Sequence, residues 1–588
     1  MMNPAIKSAL AALICFALWA CSKPEPEPVK QPTPVQAQRS IDVIADEYLS
    51  ALLNRYPEMG TNYSIPGARH DRLTDKSMAA LAAWQAREDA WLEELDAIGE
   101  PGKTGSREWV SFGILHSALA RSIAARLCRT ELWSASTATA WHRVVPSIFE
   151  IQPVDTPELQ RQALDRLGRL AAYIDTEIEN LREGLALGFS APRVTVATVP
   201  GQIRSLLSDD SPLLSPGKRA GNPAFAEDLR LVFDQKTSPA LERFARFLEE
   251  EYLPQAREEI ALSFNPAGSD CYPALIRYFS TIEPSAEEVH RLGLQQIEGI
   301  RAEMQAIIDD YFPGESIESL MKNLNLDPQY TFQTREEVLN YSLNSLAAAK
   351  AKMADAFGIL PKADVLIKPY PAYRESSGTG EYHSSSEDGT RPGIYYIAVV
   401  NPQHRSRAGQ QSVLYHETYP GHHLQGAIAL ELGDRVHPIA RYLWNSGYGE
   451  GWALYSERLA DELGLYGGPL DRMGLLSDQA ARAARLVIDS GIHTMGWTRQ
   501  QAVDYMLANT AWPPGDIEAE INRYIAFPGQ ATAYMLGMLE IRRLRILAER
   551  ELGEDFDLRE FHDRVLENGS ITLPMLAAAV AEWIREMR

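Results

Sequence analysis

Residues 415–425 read Tyr-His-Glu-Thr-Tyr-Pro-Gly-His-His-Leu-Gln. A His-Glu pair followed within a turn or two by more histidines is how metal sites set two imidazoles and a general base on one helix. In the familiar HEXXH spacing the second imidazole stands at i+4, but here that place belongs to Pro420, which has no ligating atom. His422 stands at i+6 from His416, and His423 at i+7. Seven residues of regular helix rise about 10.5 Å, too far for two imidazoles on one ion with bonds of about 2.0–2.1 Å. The helix must therefore bulge or tighten at Pro420-Gly421. Proline removes a hydrogen bond and glycine tolerates unusual dihedrals, so this dipeptide suits such a distortion. With 12 histidines in 588 residues, three around one glutamate is not a chance scatter.

A metal needs a third protein donor. Ser446 to Glu457 reads SGYGEGWALYSE, and its Glu450 follows His422 by 28 residues. That is room for the first helix to end and a second to return. Glu457 lies seven residues further, on the same helical face but two turns away. One carboxylate can bind the ion while the other orients a histidine from behind. The glycines around Glu450 predict a helix that packs closely beside the first.

The rest of the body is helical in pattern. Thr156-Pro157 ahead of Leu159, Leu164, Leu167 and Leu170 gives an N-cap, a first-turn proline and an apolar stripe. Ser285 and Glu288 make a capping box before Val289, Leu292 and Ile297. Further amphipathic stretches cover about 225–260, 335–357, 411–432, 471–493, 530–550 and 572–587. Only 365–367 and 394–400 read as strand. The polar segment 378–393 between them predicts a mobile loop. The pair of strands is either a surface hairpin or an edge bordering a cleft, able to hold an extended peptide by main-chain hydrogen bonds. On that second reading Tyr395 and Tyr396 contact the peptide backbone. The fold class expected is mainly α, with a small β-hairpin or sheet near the site.

The N-terminus belongs to something else. Met1 to Ala20 carries one charge, Lys7, and an apolar run from Ala9, too short to span a bilayer and suited to a signal peptide. Leu18-Trp19-Ala20-Cys21 resembles a bacterial lipoprotein cleavage box, which implies lipid on Cys21 and a stable membrane anchor. Ser22, rather than Asp, then implies the outer membrane, facing the periplasm. Residues 21–40 are rich in proline and read as a spacer. Two further cysteines, Cys128 and Cys271, are expected buried and unpaired. The charge of 57 − 79 = −22 excludes nucleic acid as a partner, since phosphate binding needs a basic patch.

HETYPGHHLQ, GYGEGWALYSE, DSGIHTMGW (489–497) and FPGQATAYMLG (527–537) together resemble the bacterial family catalogued as domain of unknown function 885, over about 41–586. The arrangement is also similar to glutamate-ligand zincin peptidases of the thimet-oligopeptidase and angiotensin-converting-enzyme type, helical proteins with two lobes about a deep cleft. The resemblance implies an N-terminal helical lobe at 41–270 and a catalytic lobe at 271–588. It implies Zn²⁺ on His416, His422 and Glu450, with His423 and Glu457 as alternative ligands or supports, and Glu417 as general base. In such peptidases a Tyr or His C-terminal to the ligands stabilises the oxyanion. Tyr534 is the first candidate here, and His493, four residues after Asp489, is the second. Arg523 is a candidate for a substrate carboxylate. Three functions are compatible: a lipid-anchored zinc peptidase acting on short peptides, a zinc hydrolase of another amide or ester, and a catalytically silent peptide-binding lipoprotein. Pure binding does not need Glu417.

Overall fold

Local signals in the sequence set the helix ends. Thr156 caps helix α1 (Pro157–Ala186) by accepting from the Leu159 amide at 3.2 Å. Ser285 and Glu288 form the reciprocal capping box of α2 (Ala286–Tyr311), at 3.2 and 2.8 Å. These elements belong to a computed structural model that describes residues 39–138, 140–370 and 380–588. The segment 1–20, Cys21, the spacer up to residue 38 and residues 371–379 lie outside the described residues.

A three-stranded sheet interrupts the helices: β1 (Val365–Pro369), β2 (Gly380–His383) and β3 (Gly393–Ile397). The order is β1-β3-β2, so β3 is central. β1 runs parallel to β3, with Val365 opposite Gly393, and β2 runs antiparallel, with Gly380 opposite Ile397. The two runs expected as a hairpin are therefore parallel neighbours. The edge strand β2 comes from the segment expected to be loop. Alternation hid it: Gly-Glu-Tyr-His has one apolar ring in four residues, too short for a period-two signal.

Five more helices build the site: α3 (Arg407–Glu417), α4 (His422–Glu431), α5 (Ser446–Glu462), α6 (Pro469–Thr494) and α7 (Ala533–Leu552). Every residue of α6 from Met473 to His493 is buried. A helix buried on all sides lies at the centre of a large protein, and its polar residues need partners there. Asp478 illustrates the need: it pairs with Arg482 at 3.3 Å one turn along and accepts from Trp512 Nε1 at 2.9 Å.

Residues 40–588 form one compact unit holding two hydrophobic cores. The smaller is built from 135–256. The larger combines 41–133 and Phe189 with residues from 262 onward. The expected lobe boundary at 270 is thus not where the core divides, because the first three long helices bury their apolar faces with the C-terminal half. Cys128 and Cys271, expected unpaired, form a disulfide with Cα atoms 5.0 Å apart. Their separation of 143 residues gave no local cue to this. Among the described residues no helix is long and apolar enough to cross a membrane.

Candidate metal centre

The chain leaves α3 directly after Glu417. Thr418 adopts φ −115°, ψ −112°, the Tyr419–Pro420 bond is cis, and α4 begins at His422. The distortion expected at Pro420-Gly421 is therefore a complete break between two helices. The Gly421 amide reaches back to the Tyr415 carbonyl at 3.0 Å. Only glycine fits, since a Cβ there would lie 2.0 Å from the His416 carbonyl oxygen. The Pro420 carbonyl accepts from Trp452 Nε1 at 3.0 Å and Ser456 Oγ at 3.2 Å, so α5 holds the reversal in place. α5 itself lies at backbone contact with α7. A Cβ on Gly537 would stand 1.8 Å from the Gly447 carbonyl oxygen. The glycines near Glu450 thus admit α7, rather than α3 as expected.

This scaffold brings together His416, His422 and Glu450, whose ligand atoms lie within 4.8 Å of one another. Glu450 Oε2 is 3.6 Å from His416 Nε2 and 3.4 Å from His422 Nε2. Tetrahedral bonds of about 2.0–2.1 Å separate two donors by about 3.4 Å, so two of the three spacings already suit one ion. Two imidazoles and a carboxylate are also the donor set of many hydrolytic metal sites. Behind them, His416 Nδ1 donates to Glu457 Oε1 at 2.8 Å. That bond turns Nε2 toward Glu450, the nitrogen that would bind an ion. Glu457 is fully buried, and its second oxygen accepts from Gln479 at 2.9 Å and Ser412 at 3.2 Å. Arg482 stands 3.8 Å away.

The electrostatics suit a cation. Burial pushes the Glu450 pKa up, but the imidazoles of His416 and His422 override it and hold the carboxyl well below the usual range. Burial pushes His416 down, but Glu450 and Glu457 lift it to about 9. Glu417 is raised by burial against the attraction of His422 and His416. Glu417, Glu450 and Glu457 thus converge on two imidazoles with the Arg482 guanidinium behind Glu457, an acidic setting in which a divalent ion could replace the imidazole protons.

Other expected residues have other settings. His423 is turned to the sheet. Its Nδ1 lies 3.0 Å from the Tyr382 hydroxyl and its Nε2 3.2 Å from the Ala363 carbonyl. Burial lowers it to about 4. Tyr534 flanks the centre, its ring near-parallel to the His416 imidazole at 6.5 Å. Tyr395 is buried on the sheet face within electrostatic reach of Glu417, whereas Tyr396 points the other way and stacks on Tyr370 at 5.7 Å. Alternation along a strand means the two cannot share one ligand surface. Arg523 is engaged by Glu520 at 2.8 and 2.9 Å and by Gln530.

His493 has both nitrogens committed to backbone. The Leu262 amide donates to Nδ1, and Nε2 donates to the Tyr524 carbonyl, each at 3.1 Å. Contrary to the expectation from the i−4 spacing, Asp489 does not hold it. Instead Asp489 Oδ1 accepts from Tyr272 at 2.6 Å and from the Gly529 amide at 2.9 Å. Burial raises Asp489 to about 7, above the usual value of 3.8. A raised folded-state pKa for an acid means the ionised form costs stability. That cost is absent below about pH 4, grows through the window up to about 7, and is complete above it. Asp489→Asn keeps the acceptor oxygen and removes the charge. Its melting temperature should exceed that of the parent at pH 8, with the gap closing by pH 4. An equal or lower value at pH 8 overturns the assignment.

Two residues were missed. Arg485 on α6 lies 4.5 Å over the Tyr534 ring while bonding Tyr524 at 2.9 Å and Glu520 at 3.0 Å. Its signal was an arginine on an Ala-rich stretch, read as an ordinary amphipathic face. Trp444, half exposed, stands 5.8 Å from the His422 ring. It sits outside every motif.

The same fold occurs in known proteins. Over 93% of this chain and 100% of the other, it matches the crystal structure of "the putative lipoprotein from Colwellia psychrerythraea", with a TM-score of 0.85 and 27% identity. A "putative lipoprotein of unknown function from Shewanella oneidensis" matches over 92% of this chain and 99% of its own, with a TM-score of 0.70 and 18% identity, a likeness of fold. No curated protein matches the chain. A family model described as "Bacterial protein of unknown function (DUF885)" matches residues 57–580, and the chain belongs to that family.

Proposed function

We propose that the protein is a zinc-dependent peptidase of the cell envelope, anchored by lipid on Cys21 at the outer membrane and hydrolysing short peptides in the periplasm. The observation that carries the reading is the convergence of His416, His422 and Glu450 within 4.8 Å, with Glu417 next in sequence to the first of them. The lipoprotein naming of the Colwellia relative supports the anchor. Zinc bound there supplies a Lewis acid and a water acidified toward a pKa of about 7.

The chain's own groups do the rest. Glu457 fixes the His416 tautomer through Nδ1. The Glu417 carboxylate takes a proton from the attacking water and delivers it to the leaving amine, a task that its raised pKa suits. The Tyr534 hydroxyl donates to the developing oxyanion, and the cation over its ring stabilises the electron-rich face. The edge strand β2 offers main-chain groups for pairing with an extended peptide.

Purified protein should contain one zinc per chain and cleave members of a mixed peptide library. Chelation should remove both, and zinc should restore both. Zinc without any peptide cleavage would overturn the peptidase reading in favour of another amide or ester substrate. Tyr534→Phe should lower kcat by about 10- to 100-fold with little change in KM. A change confined to KM would sink the oxyanion role.

A further inference from the structure

The face of α4 that presents His422 continues beyond the metal donors. Gln425, Gly426, Ala429 and Leu430 follow at i+3, i+4, i+7 and i+8 and floor a cavity of about 440 Å³. Trp444 belongs to both places, lining the cavity and standing 5.8 Å from the His422 ring. Eight residues of helix put the far end of this floor about 12 Å from His422. A peptide advances about 3.3–3.4 Å per residue, so that is within reach of side chains close to a bond held at the metal centre.

The rest of the wall is mostly carbon, from Tyr63, Tyr442, Leu443 and Leu566. The charged groups at the rim have local partners, and Asp388 accepts from the Ser386 and Thr390 hydroxyls at 2.6 and 2.8 Å. Glu387 pairs with Arg441 and accepts from the Tyr442 hydroxyl at 2.9 Å, while Arg391 donates to the Ser384 carbonyl at 3.1 Å. One side is formed by residues 384–388, which follow β2 directly. A peptide paired along the β2 edge is thus led toward the cavity. The volume lies in the range of ligand pockets and exceeds what one aromatic side chain needs.

We infer that this cavity is a side-chain subsite, taking an aromatic or large aliphatic residue of the substrate beside the cleaved bond or one position removed. The identity of the occupant rests on the peptidase reading. Gly426 gives the means to test it, since a Cβ there meets no atom within 4 Å and a larger side chain projects from the floor.

The experiment uses zinc-loaded Glu417→Gln protein and short peptides differing at one position among Gly, Leu, Phe and Glu, with binding measured by calorimetry. The unmutated protein is assayed for hydrolysis of the same set. Phe and Leu peptides should bind at least about tenfold more tightly than the Gly peptide, equivalent to about 1.4 kcal/mol. Adding Gly426→Phe or, independently, Ala429→Phe should shrink that ratio to about twofold or less. Zinc content and melting temperature confirm that each variant is folded. Equal affinity across the set before filling, or a preference that survives both fillings, overturns the subsite. Selective binding abolished by filling, with no hydrolysis by the unmutated protein, upholds the subsite and overturns the peptidase reading instead.

Discussion

Glu417→Gln should bind zinc as the parent does and lose peptide hydrolysis by about 10² to 10⁴-fold, the usual contribution of a positioned general base. The three donor atoms belong to His416, His422 and Glu450, so an amide at 417 removes none of them. Burial already disfavours the ionised carboxylate at this position, so an uncharged isostere is not penalised by its surroundings. Metal content by atomic emission and turnover on the best library peptide decide the matter together. Full turnover in the variant rules out Glu417 as the base. Loss of zinc alongside activity would make the residue a support of the metal site rather than a proton carrier.

Gly421→Ala should lower zinc affinity at least about tenfold and destabilise the fold by about 2–4 kcal/mol. The methyl group would meet the His416 and Tyr415 carbonyl oxygens at 2.0 and 2.4 Å, and both are main-chain atoms with no rotamer to relieve the clash. Relief must come from moving the last turn of α3 against the start of α4. Those two pieces of backbone carry His416 and His422, so the donors separate as the strain is released. The Pro420 carbonyl is held by Trp452 and Ser456, which resists any compensating slide of the reversal. Gly299→Ala is the control. It lies in the interior of α2 with nothing within 4 Å of the added carbon, and it should gain roughly 0.5–1 kcal/mol without touching zinc affinity. A Gly421→Ala protein with parental zinc affinity would show that the break does not govern the donor spacing.

Much of the site was legible because it is written in covalent spacing. His416, Glu417 and His422 are separated by so few bonds that a requirement on the backbone could be stated from the sequence, and Pro420-Gly421 named as the place to meet it. The form of the answer, a break with the second donor starting a new helix, was not legible, since it depends on α5 gripping the Pro420 carbonyl from 32 residues away. The helices read well because caps and stripes are local: Ser285 with Glu288 needs no tertiary knowledge. What failed was non-local. Pairing of Cys128 with Cys271, the alliance of 41–133 with the C-terminal core, and the partners of Asp489 all depend on contacts between distant segments. Trp444 escaped because an exposed tryptophan beside an imidazole looks in sequence like any tryptophan.

The disulfide makes a closed ring of the chain, and the smaller core lies inside it. A protease cut within that ring leaves one covalent molecule as long as the bond is oxidised, and the severed parts remain near each other at high effective concentration. Whatever the smaller core does, the two ends of its loop stay joined at a neck, the Cys128–Cys271 bond. On either side of that neck, the chain before Cys128 and the chain after Cys271 are fastened at one fixed point in the larger core. Inside the ring, Arg166 and Asn180 also bond the carbonyls of Arg72 and Lys76 outside it, so opening of the smaller core must break these ties as well while the neck stays closed.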